Sequence, residues 1–267
     1  MFRKIGEAIQ LLGAHFPLFA AIVLTIWLPA NALLCHLTYN VWADDEGLAV
    51  MRAAMWIEGI FGPIYLGALM YALSEIKQKR PVGYAKAMEA GFRNWGRLFV
   101  ANFVAGLIIV VGLIALVIPG IYLSLRYALL DSVVILEGAD AGEARRRSGE
   151  LTKGIMLKIM GTWLVCYVAI LFCTVAIYVP IGVAQEMGAL GDTASMIVEV
   201  CVDCVADVMF LVVPIAMFLY YWEKREQESG SEKLTGKDVY ESEGSFFEKA
   251  DLGDLEDDGN PYRPPQA

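Results

Sequence analysis

Three carboxylates, Glu199, Asp203 and Asp207, follow one another at four-residue intervals inside an otherwise apolar stretch. Positions i, i+4 and i+8 stack along one face of a helix. A charged side chain in hydrocarbon costs roughly 2.5–3.5 kcal/mol on insertion scales, so such a face turns inward and finds compensation. Glu58 and Arg126 stand in two other apolar stretches. Counting about 1.5 Å per residue from the outer ends puts Arg126 and Asp203 at similar depth, roughly 10 Å, which predicts that they pair. Glu58 falls in the same outer half and completes an intramembrane ionisable cluster. Such a cluster has two uses. As a buried ion pair it fixes helix register; as a set with surplus carboxylates it holds a proton or cation, the chemistry of a small transporter or permease.

A second group is basic. Arg145-Arg146-Arg147-Ser148 and Lys153 lie between two apolar stretches, where anionic lipid headgroups are within reach. Each such residue near an anionic surface contributes roughly 1 kcal/mol, and the planar guanidinium suits phosphate. Lys79, Arg80, Lys86, Arg93 and Arg97 surround Trp95 in an earlier basic loop. Gly91 and Gly96 there match the separation of Gly149 and Gly154, the mark of a weak internal repeat of basic helix plus span. The simpler use of these cations is to set topology alone.

Catalytic chemistry is not signalled. The histidines, His15 and His36, bracket the first apolar stretch and have no metal-ligand spacing. Cys201-Val202-Asp203-Cys204 is formally a C-x-x-C, but lacks a second cysteine pair or a neighbouring histidine. Cys35, Cys166 and Cys173 also fall in apolar runs, as small fillers. No cofactor or metal is implied, no nucleic-acid partner is indicated, and the expectation is a non-enzyme.

The elements that must position these residues follow from composition. The chain is 57% hydrophobic and only 19% charged, with a mean hydropathy of +0.53, which places it among helical membrane proteins. Its net charge of −9 arises mostly after Tyr221. A span takes roughly 20 apolar residues because backbone groups must pair internally in lipid. Six segments qualify: Phe16 to Leu37, Ala53 to Leu73, Leu98 to Ile118, Ile121 to Leu136, Ile159 to Val179 and Met196 to Tyr221. The fourth is short, and Pro119-Gly120 predicts a tight hairpin between the third and fourth, either as two crossings or as a re-entrant pair.

Every second loop is basic, so the positive-inside rule puts both ends in the cytoplasm. Residues 1–15 place Phe2, Ile5, Ile9 and Leu12 at helical spacing, which reads as an interfacial amphipathic helix or a frayed start. Residues 16–222 form the six-span domain. Residues 223–267 form an acidic tail with too little apolar surface to fold, in which Phe246-Phe247 and the proline-rich end offer a protein partner a docking segment.

Ile118-Pro119-Gly120-Ile121 leading into a helix with Arg126, followed by Arg147-Ser148-Gly149-Glu150-Leu151-Thr152-Lys153-Gly154, resembles the bacterial and archaeal glycerophosphoryl diester phosphodiesterase membrane domain family and the YciC-like membrane proteins. The likeness covers most of residues 1–225 and implies a multi-helix protein of the bacterial cytoplasmic membrane. It implies no hydrolysis, because in the associated enzymes that activity belongs to a separate soluble barrel. The expectation is therefore a non-catalytic protein of envelope or lipid organisation whose basic loops contact lipid headgroups, with the permease as the alternative.

Overall fold

The computed structural model describes residues 2–41, 47–187 and 191–229. The described residues are overwhelmingly helical and contain no strand. The helices are α1 (Phe2–Ala14), α2 (Phe16–Asn40), α3 (Leu48–Lys77), α4 (Tyr84–Ala115), α5 (Val117–Arg126), α6 (Leu130–Leu136), α7 (Ala141–Leu151), α8 (Met156–Glu186) and α9 (Asp192–Phe210). A further helical run, α10, covers residues 212–222. Contacts cluster into two units, Met1–Trp222 and Glu223–Ala267. The second is described only over residues 223–229, which are helical; Phe246, Phe247 and the proline-rich end lie outside the described residues.

Among the described residues, five stretches are long and apolar enough to cross a membrane: Phe16–Asn40, Leu48–Lys77, Tyr84–Ala115, Val117–Leu136 and Met156–Gln185. The chain is thus a polytopic helical bundle, with the third span sharing one helix with the preceding basic loop. The sixth expected span, Met196 to Tyr221, is helical but broken at Leu211. Pro214 explains the break. It has no N–H to give the Phe210 carbonyl, and its ring crowds that turn.

The expected hairpin is displaced. The chain reverses at Leu116, which is extended at φ −163° and ψ 141°, so Pro119 sits in the first turn of α5, where its missing N–H is unneeded. Gly120 serves packing instead. A Cβ there would fall 2.4 Å from the Leu113 side chain and 2.8 Å from its backbone nitrogen, so α4 and α5 touch closely because Gly120 is bare.

The core gathers around the second half of α3. Leu69, Met70 and Leu73 are sealed there against Phe19 and Ile22 of α2, Leu98 of α4 and Val133 and Val134 of α6, with Ile215, Phe218 and Tyr221 of α10. Gly91 lets α4 reach α3, since a Cβ would meet the Ile64 carbonyl oxygen at 2.3 Å. Outside this core, α8 buries only 6% of its span against the protein. Its apolar side chains, among them Leu164, Leu171 and Phe172, face outward, as a helix solvated by hydrocarbon requires.

α1 docks at the basic end of the bundle. Lys4 Nζ donates to the Leu219 carbonyl at 3.3 Å, and Lys77 Nζ meets Glu7 at 2.7 Å. Lys4 and Glu7 therefore face the bundle, while Arg3, Gln10, Phe2 and Ile9 are exposed.

Candidate functional site

The break between α9 and α10 opens a cavity of about 340 Å³ toward α2 and α3, lined by Glu58, Tyr65, Asp207, Phe210, Leu211 and Pro214 among others. Two carboxylates from different helices thus share one chamber. Each has a neutral hydrogen-bond donor. Tyr65 donates its hydroxyl to Glu58 Oε1 at 3.4 Å, and the Asn31 amide donates to Asp207 Oδ2 at 2.8 Å. Among the described residues, no Lys, Arg or His nitrogen lies within 4 Å of either acid. The helix break adds oxygen: Pro214 leaves the Phe210 carbonyl without its helical donor, and Leu211 N–H turns back to Val208 at 3.2 Å. Two carboxyl groups beside a helix break form an acidic chamber, and helix breaks are where discontinuous membrane helices place their ion sites.

The other carboxylates of α9 extend the series toward its N-terminus. Asp203 accepts from the Tyr178 hydroxyl of α8, and Glu199 lies 4.0 Å from the Cys35 thiol of α2. The expected Arg126–Asp203 pair does not form. Asp203 faces α8, whereas Arg126 ends α5 against α7: its carbonyl accepts from Ser148 Oγ at 2.9 Å, and a Cβ on Gly149 would fall 2.5 Å from its Nε. Matching depth along two helices does not make them neighbours, and the α5–α7 packing places Arg126 elsewhere. The predicted cluster therefore divides into Glu58 with Asp207, Asp203 with Tyr178, Glu199 beside Cys35, and Arg126 apart.

The basic group also divides. Ser148 is fully buried and cannot touch a headgroup; it holds the Arg126 carbonyl and accepts from Leu129 N–H at 3.3 Å. Arg147 pairs with Glu137 at 3.2 Å, tying α7 to the end of α6. Arg145 is half-buried, and its Nη1 is enclosed without an acceptor among the described residues. Arg146 and Lys153 are exposed, as are Lys79, Arg80, Lys86, Arg93 and Arg97. Asp140 caps α7, accepting from Gly142 and Glu143 N–H at 2.8 Å. Those two backbone bonds hold its carboxyl below the ordinary value. Burial raises the Glu7 carboxyl, but the hydrogen bond from Lys77 and the charges of Lys4 and Lys77 outweigh it and leave it lowered.

Gly91 and Gly149, the first glycines of the suggested repeat, both mark close approaches, one to α3 and one to Arg126. Their followers differ. Gly96 is helical and open around its Cα, whereas Gly154 takes φ +77° in the turn before α8.

Sequence reading missed the partners. Asn31, Tyr65 and Tyr178 satisfy the acids, and Asp131 of α6, paired with the Asn102 amide at 2.9 Å, is a further carboxylate between spans. The signal was available in Asn31 and Asn102 themselves, amides set in the middle of apolar stretches. The free cysteines Cys201 and Cys204 differ in exposure, the first exposed and the second half-buried. Among the described residues, no three His, Cys, Asp or Glu side chains converge as a metal-holding group. No protein-family model, curated protein or solved structure matches the chain.

Proposed function

We propose that this chain is a non-catalytic, multi-pass protein of the bacterial cytoplasmic membrane that takes up a proton or small monovalent cation in the Glu58–Asp207 chamber and passes it across the bilayer. The observation that carries the reading is the pairing of two carboxylates in one cavity at a broken helix, each held by a neutral donor. A structural ion pair would place a cation beside the acids; here that position is left to a ligand. The α9–α10 segment supplies the sixth crossing and brings both ends to the basic side. Labelling by a membrane-permeant carbodiimide tests the chamber: Glu58 and Asp207 are modified in native membranes, and excess of the transported cation protects them. Equal labelling with and without every cation tried removes the reading.

A second reading rests on the exposed cations at one end of the bundle. Lys79, Arg80, Lys86, Arg93, Arg97, Arg146 and Lys153 form a surface suited to anionic headgroups, a lipid-organising role in which the residues beyond 229 recruit a protein partner. Arg147 and Ser148 take no part in it. Vesicle association that is indifferent to anionic lipid content, with these residues intact, counts against it.

A further inference from the structure

A second cavity, of about 250 Å³, lies on the α8 side of the same break, lined entirely by apolar residues that include Ile5, Ile9 and Leu12 of α1, Ala169 of α8, Met209 of α9 and Val212 of α10. Water finds no polar partner on such walls, and covering them with an apolar group is favourable. The medium beside it is hydrocarbon, because the outer surface of α8 is apolar and almost wholly exposed. One wall is α1, clamped by Lys4 to the Leu219 carbonyl and by Glu7 to Lys77. Along α8, Lys158 stands two helical turns before Val165, another lining residue, on the same face and at the basic end. It is exposed. A greasy slot beneath an exposed cation matches an amphiphile with an apolar chain and a negative head.

We propose that this cavity holds one acyl chain of an anionic glycerophospholipid whose headgroup is drawn to Lys158. The site is independent of the carboxylate chamber and of the transport reading. The bound chain completes the packing between α1, α8 and the helix break, which the protein alone leaves open.

The test is mass spectrometry of intact full-length protein, extracted in mild detergent from vesicles of mixed phosphatidylglycerol and phosphatidylcholine. Wild type is expected to retain one phosphatidylglycerol. Ala169→Trp, which fills the slot, is expected to lower retention about tenfold, and Leu171→Trp, on the outward face of the same helix, to leave it unchanged. Lys158→Gln is expected to keep lipid but lose the preference for the anionic head. Retention in Ala169→Trp equal to wild type, or an equal loss in Leu171→Trp, overturns the proposal. Should Ala169→Trp not fold, photolabelling of wild type with a diazirine-bearing phosphatidylglycerol decides it. Label concentrated on the cavity side of α1 and α8 supports the site, and label spread evenly over the outer faces of α4 and α8 overturns it.

Discussion

The Asn31 amide donates to the Asp207 carboxylate at 2.8 Å, joining the middle of α2 to the last turn of α9. Asn31 is 7% exposed, so the bond is sheltered and the amide has few other partners. It holds one acid of the chamber in place without neutralising it. Replacing Asn31 with Leu leaves Asp207 without its donor and is expected to destabilise the protein by about 1–3 kcal/mol. Asp207→Asn, which keeps an acceptor oxygen, is expected to lose less. Thermal unfolding in detergent reads both; equal midpoints for wild type and Asn31→Leu contradict the assignment.

Two glycines of α4 predict opposite outcomes for the same change. A Cβ on Gly91 would press on the Ile64 carbonyl at 2.3 Å, whereas Gly106 has nothing within 4 Å. Backbone does not move aside as a side-chain tip does, so Gly91→Ala is expected to cost about 3 kcal/mol by overpacking. Gly106→Ala is expected to be neutral or stabilising by about 0.5–1 kcal/mol through helix propensity. Detergent-solubilised yield and melting midpoint separate the two, and similar behaviour in both variants sinks the packing argument.

The sequence carried the architecture because length and apolarity are one-dimensional signals. The first, second and fifth predicted spans appear as single helices at their predicted places, whereas the third overruns the reversal at Leu116, the fourth is interrupted between α5 and α6, and the sixth is broken at Leu211, close to a proline visible in the sequence. Partner choice is a different kind of information. Arg126 and Asp203 share a depth, yet which helices adjoin depends on close approaches such as Gly149 against Arg126, and those are set by packing in three dimensions. For the same reason Ser148 read as a surface residue: its neighbours are three arginines, but its own face of α7 is the one turned inward.

Ser148 offers a third test. Its hydroxyl bonds the Arg126 carbonyl at 2.9 Å and receives Leu129 N–H at 3.3 Å, serving the two backbone groups freed between α5 and α6. Ser148→Ala is expected to cost about 1–3 kcal/mol, because it leaves the Leu129 N–H without its acceptor and the Arg126 carbonyl with only the longer bond from Thr152 Oγ1, at 3.5 Å. Ser124 bonds only the Gly120 carbonyl of its own helix, at 3.0 Å, and Ser124→Ala is expected to stay within about 0.5 kcal/mol. Chemical denaturation of the two variants side by side checks the ordering, which reverses if Ser148 is a mere surface residue.

The clamp of α1 is acid-sensitive. The folded Glu7 carboxyl is lowered, burial being outweighed by Lys77 and Lys4. Its contribution is therefore present above the ordinary carboxylate range and lost as pH falls through the lowered value. Asp140, lowered by the Glu143 and Gly142 N–H bonds, adds a contribution of the same sign at α7. Glu7→Gln is expected to melt below wild type at neutral pH and to converge with it in acid. A gap that persists unchanged below that range shows that Glu7 does not act through its charge.

The most direct measurement is flux through purified full-length protein in sealed proteoliposomes, driven in turn by gradients of protons, Na⁺ and K⁺ and followed with an ion-sensitive dye. One of these gradients is expected to collapse with wild type and with the outward-face control Leu171→Trp, and to persist with Glu58→Gln or Asp207→Asn. Folded wild type that dissipates none of them, or carboxamide variants that transport as well as wild type, contradict the account of the Glu58–Asp207 chamber.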